Sequence, residues 1–146
     1  MGKRRRAREL ALQFLYQHDS LNGSSPESPS LEESLSLFWE HDGINTDSEV
    51  RDFSSALAKG CCTNLGHLDD IIVRYSEHWR LSRISKIDRN ILRIAIYEML
   101  YLSNIPPAVT INEAVELGKT FGTEQSGAFI NGILDKIKED RDKGDL

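Results

Sequence analysis

The sequence predicts an all-α protein of about seven helices around one core. Every segment with a clear pattern places apolar residues three and four positions apart, which is typical of helices that bury one face. No segment shows the alternation of a strand, and there is no internal repeat. A chain of 146 residues, 39% of them hydrophobic, is long enough for one domain with a sizeable core. We therefore expect residues 1–146 to form a single domain.

The first helix is predicted in RRRARELALQFLYQHD, where Ala7, Ala11 and Phe14 begin the apolar face. Residues 20–30 follow as SLNGSSPESPS, whose Ser, Pro, Gly and Asn content predicts a flexible loop. The second helix is predicted in LEESLSLFWEHDG. Ser30 and Glu33 have the spacing of a capping box, so the helix should begin just after Ser30.

The third and fourth helices are predicted in SEVRDFSSALAKGCCTNLG and LDDIIVRYSEHW, the former capped by Asp47 or Thr46. Cys61 and Cys62 are adjacent in the third helix. A disulfide between neighbouring residues is strained, so both thiols are expected to be reduced, as in the cytoplasm. The sequence has no apolar run long enough to span a membrane and no signal peptide, which also favours a cytoplasmic protein.

The segment ISKIDRNILRIAIYEMLYL is the most apolar in the chain and is predicted to be the central helix. Asn104 to Pro107 should end it. Thr110 and Glu113 have capping-box spacing and predict the start of the next helix, INEAVELGKTF, with Gly122 after its end. The last helix is predicted in SGAFINGILDKIKED, and residues 140–146 should form a charged, frayed tail.

Catalytic and cofactor motifs are weak in this sequence. Gly118-Lys119-Thr120 resembles the end of a phosphate-binding loop, but Glu113 stands where that motif requires glycine. Glu98 interrupts the central apolar helix, where a buried Glu paired with an Arg is more common than a catalytic acid. The histidines have no cysteine or carboxylate at metal-ligand spacing. We therefore predict no enzyme activity, no cofactor and no metal.

The positive charge of this acidic chain is concentrated at its beginning. The net charge is -5, yet five of the 18 basic residues are Lys3, Arg4, Arg5, Arg6 and Arg8. Cations at a helix N-terminus oppose the helix macrodipole. The cluster is either a solvated helix start or a contact for a negatively charged partner. Because cations at this position are unfavourable for the helix itself, we favour contact with nucleic acid.

Three stretches in order resemble the NusB family of bacterial transcription antitermination factors: RRRARELALQFLY, then IDRNILRIAIYEM with INEAVELGKTFG, then SGAFINGILDKI. The resemblance implies an all-helical fold of two small packed bundles. It also implies a factor that, together with NusE, a ribosomal small-subunit protein, binds the boxA element of nascent RNA, chiefly in ribosomal RNA operons. The complex would join RNA polymerase and suppress termination without catalysing a reaction.

The resemblance also implies site residues. Those facing NusE would be Tyr16 and Asp88. Family members often have an acid before the serine that leads into the last helix, and larger polar or basic residues just after it, whereas this chain has Gln125, Gly127 and Ala128. The RNA footprint on this loop is expected to differ accordingly, and core packing is an equal alternative for Phe129. The residues expected to bind RNA are Lys3, Arg4, Arg5, Arg6, Arg8, Tyr75, Gln125, Ser126 and Phe129.

Two other functions stay open on the sequence. Domains similar to NusB form the N-terminal part of some RNA cytosine methyltransferases, although this chain has no room for a catalytic domain and no glycine-rich loop for a methyl donor. A homodimer that covers the arginine cluster is the second alternative, because some family members self-associate.

Overall fold

The computed structural model describes residues 2–21, 30–41, 47–77 and 80–146. Within these ranges the protein has seven α-helices, one short 3₁₀ helix and no strand, so the predicted all-α class is confirmed. Most of the loop predicted at residues 20–30 lies outside the described residues, as do Thr46, His78 and Trp79.

The chain divides into two compact helical units, and the first spans Met1–Thr63. It contains α1 (Lys3–Leu21), α2 (Leu31–Glu40) and α3 (Ser48–Thr63), and α1 packs chiefly against α3. An edge-to-face contact between Phe14 and Phe38, with ring centroids 5.5 Å apart, joins α1 to α2. Cys61 and Cys62 in α3 are not joined in a disulfide, and Cys61 is buried. The core also includes Leu10, Ala11, Leu15, Leu35, Val50, Leu57 and Ala58.

Local hydrogen bonds set the start of two helices in the first unit. The Glu33 N–H donates to Ser30 Oγ over 3.2 Å, and the Ser30 hydroxyl donates to Glu33 Oε1 over 3.1 Å, which confirms the predicted cap. The Val50 N–H donates to Asp47 Oδ1 over 3.0 Å. This hydrogen bond is the main cause that lowers the pKa of Asp47, and it makes Asp47 a cap of α3.

The second unit spans Asn64–Leu146 and is organised around α5. Its elements are α4 (Leu65–Tyr75), the 3₁₀ helix (Leu81–Arg83), α5 (Lys86–Tyr101), α6 (Pro107–Phe121) and α7 (Ser126–Lys143). Helix α5 contacts α4, α6 and α7, and it buries Ile91, Leu92, Ile94, Ala95, Ile96 and Met99. The prediction that this segment is a central helix therefore holds within the second unit.

The predicted cap at Thr110 is wrong. Helix α6 begins at Pro107, one turn earlier, since proline suits the first helical position, where its missing N–H costs nothing. Thr110 is a buried residue inside the helix, and its Oγ1 donates to Glu98 Oε1 over 3.1 Å. The threonine therefore satisfies a fully buried carboxyl group of α5 instead of starting α6.

The glycines between α6 and α7 permit a close helix contact. A Cβ on Gly118 would lie 2.8 Å from Ile130 Cδ1, and a Cβ on Gly122 would collide with Ser126 Oγ. Gly118-Lys119-Thr120 thus lies inside α6 at a packing interface, not in a phosphate-binding loop. Helix α7 continues to Lys143, so residues 140–143 of the tail expected to fray are helical, and Gly144 ends the helix with a φ of 80°.

Candidate nucleic-acid interface

All five basic residues of the N-terminal cluster lie in the first turns of α1, but their environments differ. Arg4 and Arg8 are four positions apart and lie on one face of the helix. Their guanidinium carbons are 4.7 and 5.6 Å from the centroid of the Phe53 ring, which belongs to α3. Arg8 is only 3% exposed, whereas Arg4 is exposed. Arg8 therefore contributes to the packing of α1 on α3, and Arg4 presents its charge to solvent.

Lys3 and Arg6 are paired with carboxylates. Lys3 Nζ lies 3.3 Å from both Asp47 Oδ2 and Glu49 Oε2, and its hydrogen bonds, first to Glu49 and then to Asp47, raise the pKa of Lys3. Arg6 Nη1 lies 3.4 Å from Glu9 Oε1. These pairs are exposed and therefore weak, so an incoming phosphate could replace the carboxylates. Lys3, Arg4, Glu49, Asp52 and Phe53 line a surface depression at this end of the first unit.

Tyr75 is held in the second unit by its own contacts. Its ring is 7% exposed, its hydroxyl donates to Asp140 Oδ2 over 2.5 Å, and the Arg74 guanidinium lies 5.3 Å from the ring centroid. Burial, and then the hydrogen bond to Asp140, raise the pKa of Tyr75. The geometry supports a role in joining α4 to α7, and stacking of Tyr75 on RNA stays a prediction.

We expect Tyr75→Phe to reduce the free energy of unfolding at neutral pH by about 1.5–3 kcal/mol, because it removes one hydrogen bond to a carboxylate. The pKa of Tyr75 is raised on folding, so its stabilising contribution is present below about pH 10, the usual tyrosine pKa, and is lost as pH rises through the folded pKa. Urea unfolding of both proteins at neutral and strongly alkaline pH should show the difference shrinking. The ring remains in the variant, so a loss of RNA affinity at unchanged stability would contradict this assignment.

The residues predicted at the start of α7 have unequal exposure. Gln125 is exposed just before the helix. Ser126 is buried, and its Oγ accepts a hydrogen bond from the Thr123 N–H over 2.9 Å, so its side chain fixes the turn between α6 and α7. Phe129 is half-buried on the first turn. The roles of these three residues in RNA binding stay predictions.

The two residues predicted to face NusE belong to different units. Tyr16 is 41% exposed on α1 of the first unit. Asp88 lies in the first turn of α5 in the second unit, where its N–H donates to Ser85 Oγ, the cap of that helix. The Asp88 Oδ1 atom is buried and has no hydrogen-bond partner within the described residues. A buried acceptor without a donor is costly to the folded state, and the role of Asp88 in binding NusE stays a prediction.

Neither a candidate metal site nor a membrane-spanning helix is found in the described ranges. No group of His, Cys, Asp and Glu there could hold a metal ion. None of the helices described is both long and apolar enough to cross a membrane.

Comparison with known proteins identifies the family. The model of the NusB family matches residues 5–139. The chain belongs to the NusB family. The transcription antitermination protein NusB of Desulforapulum autotrophicum is 50% identical over 138 residues, which cover 94% of this chain and 92% of that protein.

Solved NusB structures have the same fold as this chain. NusB of T. maritima has a TM-score of 0.80 at 37% identity, with 98% of this chain and 97% of that chain covered. A crystal structure of the antitermination factors NusB and NusE in complex with double-stranded RNA has a TM-score of 0.78 at 26% identity, with 95% and 98% covered. Known NusB structures thus include one with both NusE and RNA.

The contact of Phe53 with the arginines of the N-terminal cluster was not predicted from the sequence. The periodicity of α3 assigns Phe53 to the apolar face of that helix, and this is partly right because Phe53 is half-buried. Its contact with Arg4 and Arg8 depends on how α1 packs on α3, which no local pattern reveals. The cationic residues and Tyr16 belong to the first unit, and Tyr75, Asp88, Gln125, Ser126 and Phe129 belong to the second.

Proposed function

We propose that this protein is a transcription antitermination factor that binds the boxA element of nascent RNA together with NusE and helps RNA polymerase resist termination. The observation that carries the proposal is the cationic first turn of α1 on a NusB-family chain whose net charge is negative. Such a factor acts where transcripts are made, in the cytoplasm of a bacterium, with ribosomal RNA operons as its main targets.

The charge distribution supports an RNA contact confined to a small area. Arginine side chains bind phosphate oxygens with several donors in a fixed geometry. An acidic remainder repels RNA elsewhere on the surface, so the attraction is local. Because the cluster is short, it offers few contacts that read bases, and most sequence recognition would have to come from further residues or from a partner.

NusE is the partner that fits this requirement. A NusB chain of the same fold is known in a complex with NusE and RNA. Here Asp88 is a partly exposed acid in the first turn of α5, and Tyr16 offers an exposed ring on α1. Amphipathic side chains such as tyrosine are enriched at protein interfaces. A basic protein bound through these residues would add its own positive charge to the RNA site.

We expect NusE to tighten binding of boxA RNA by about 5–150-fold, a typical coupling between two ligands, and RNA to tighten NusE binding by the same factor. Asp88→Lys should weaken NusE binding and remove this gain, because a cation replaces the acceptor. Its RNA affinity without NusE should be unchanged or slightly higher. Fluorescence anisotropy of a labelled boxA RNA, with and without NusE, measures each quantity.

Asp70→Lys is the matched control. Asp70 is an exposed acid on α4, so the substitution changes the net charge equally without touching Asp88. It should leave the NusE affinity and the coupling intact. If NusE does not change the RNA affinity of the wild-type protein, the shared-site proposal fails, and the protein would have to recognise its RNA alone.

A further inference from the structure

The exposed cations of the N-terminal cluster are not equally ready to bind phosphate. Lys3 and Arg6 each face a carboxylate that a phosphate must displace. Arg4 is exposed and, within the described ranges, lies over the Phe53 ring without an ion pair to a carboxylate. An aromatic ring offers no lone pair that competes for the guanidinium N–H donors. Arg4 can therefore bind a phosphate without first losing an ion pair.

The ring also reduces the entropic cost of binding. A free arginine side chain loses substantial rotamer entropy when a ligand fixes it. Attraction to the ring face restricts Arg4 before RNA arrives, so less entropy remains to be lost on binding. Phe53 is itself held in place, because it is half-buried on α3 and also contacts the buried Arg8.

We infer that Phe53 is a positioning residue for RNA binding, which holds the Arg4 guanidinium in the lining of the surface depression for contact with an RNA phosphate. This inference rests on the proposed RNA-binding function and adds a residue to its site. Phe53 acts through Arg4 and does not need to touch RNA. The depression is lined by both residues, together with Lys3, Glu49 and Asp52.

A double-mutant cycle on the full chain tests the inference. RNA affinity is measured for wild type, Phe53→Leu, Arg4→Ala and the double variant, using labelled boxA RNA in the presence of NusE. Phe53→Leu keeps an apolar side chain but removes the ring face. It should weaken RNA binding about two- to fivefold, the range expected for an exposed cation–π contact. In the Arg4→Ala background the same substitution should have no further effect.

Matched variants separate positioning from a general effect on folding. Phe53→Tyr keeps the ring and should keep wild-type RNA affinity. Phe53→Met, which has an unbranched apolar side chain, replaces Phe53→Leu in the cycle if the leucine variant does not fold. In the wild-type protein, the side-chain proton resonances of Arg4 should carry a ring-current shift in NMR spectra. This shift should disappear in Phe53→Leu and Phe53→Met and persist in Phe53→Tyr.

The outcomes distinguish this inference from the proposed function. If Arg4→Ala weakens RNA binding but Phe53→Leu and Phe53→Met do not, the positioning role is overturned and the RNA site stands. An equal loss with and without Arg4 also overturns it, because Phe53 would then act through the fold or by direct RNA contact. If replacing Arg4, Arg5 and Arg6 together with alanine leaves RNA affinity unchanged, the proposed function itself fails.

Discussion

Asp69→Ala is expected to lower the free energy of unfolding by about 3–5 kcal/mol, the usual cost of removing one partner from a buried ion pair. The Arg93 side chain on α5 is 5% exposed and the Asp69 side chain on α4 is 18% exposed. Two parallel hydrogen bonds join them, from Arg93 Nε to Asp69 Oδ1 over 2.7 Å and from Nη2 to Oδ2 over 2.8 Å. Without Asp69, the buried guanidinium of Arg93 loses the carboxylate that compensates its charge.

The Asn90 side chain cannot take the place of this carboxylate. Arg93 Nη1 donates to Asn90 Oδ1 over 2.9 Å, but an amide oxygen carries no net negative charge. Urea unfolding followed by far-UV circular dichroism measures the loss. Asp70→Ala, which removes the adjacent exposed acid, is the control and should change stability by less than about 0.5 kcal/mol.

A second variant separates the buried charge from the loss of packing. Replacing both partners, as Asp69→Leu with Arg93→Met, removes the charges together and should recover most of the stability, because such exchanges are often neutral. If Asp69→Ala were as stable as the wild type, the α4–α5 pair would be an ordinary surface contact. The ion pair between Asp69 and Arg93 would then contribute nothing measurable to the stability of the fold.

Helical periodicity predicted the fold because each helix buries one face, and the apolar residues of that face recur every three or four positions in the sequence. Local caps were equally predictable at Ser30 and Asp47, where the capping side chain and the backbone N–H that it accepts from are three residues apart. The same reasoning failed at Thr110, since a buried threonine that binds Glu98 and a capping threonine have the same local spacing. The proline pair at residues 106–107 predicts the end of α5, and the structure shows that Pro107 also begins α6.

The candidate site was predictable in its charge but not in its geometry. A run of arginines is visible in the sequence, and so is its conflict with the helix macrodipole. The burial of Arg8 and the contact of Arg4 with Phe53 arise from the packing of α1 on α3, between residues that lie far apart in the chain. The burial of Ser126 similarly depends on the close approach of α6 and α7 at Gly122. Such contacts between helices have no local signature.

Replacing Arg4, Arg5 and Arg6 together with alanine should weaken RNA binding more than about a hundredfold at low salt. A hydrogen bond to a charged group contributes about 1.5–3 kcal/mol, so losing three exceeds that factor even when they are only partly additive. Arg8 is left in place because its burial on α3 makes it part of the fold. Arg5 is half-buried and Arg4 contacts Phe53 of α3, so urea unfolding of the triple variant is measured alongside, and an unchanged free energy of unfolding assigns the loss to RNA contact.

Salt dependence shows whether these arginines contact phosphates. Each phosphate neutralised on single-stranded RNA contributes about -0.7 to the slope of log affinity against log salt concentration. Three lost contacts should therefore flatten the slope by about 2. RNA affinity is measured by fluorescence anisotropy over a series of salt concentrations, for the wild type and the triple variant, each with NusE.

A second triple variant removes the same charge from other parts of the surface. Lys59, Lys136 and Lys138 are partly exposed and pair with Glu32, Glu77 and Asp142, respectively. Their replacement by alanine changes the net charge equally. It should therefore weaken RNA binding only through long-range electrostatics and leave the slope of log affinity against log salt concentration nearly unchanged. If both triple variants flatten the slope alike, RNA responds to net charge alone. The N-terminal cluster would then be a solvated helix start and not a binding site.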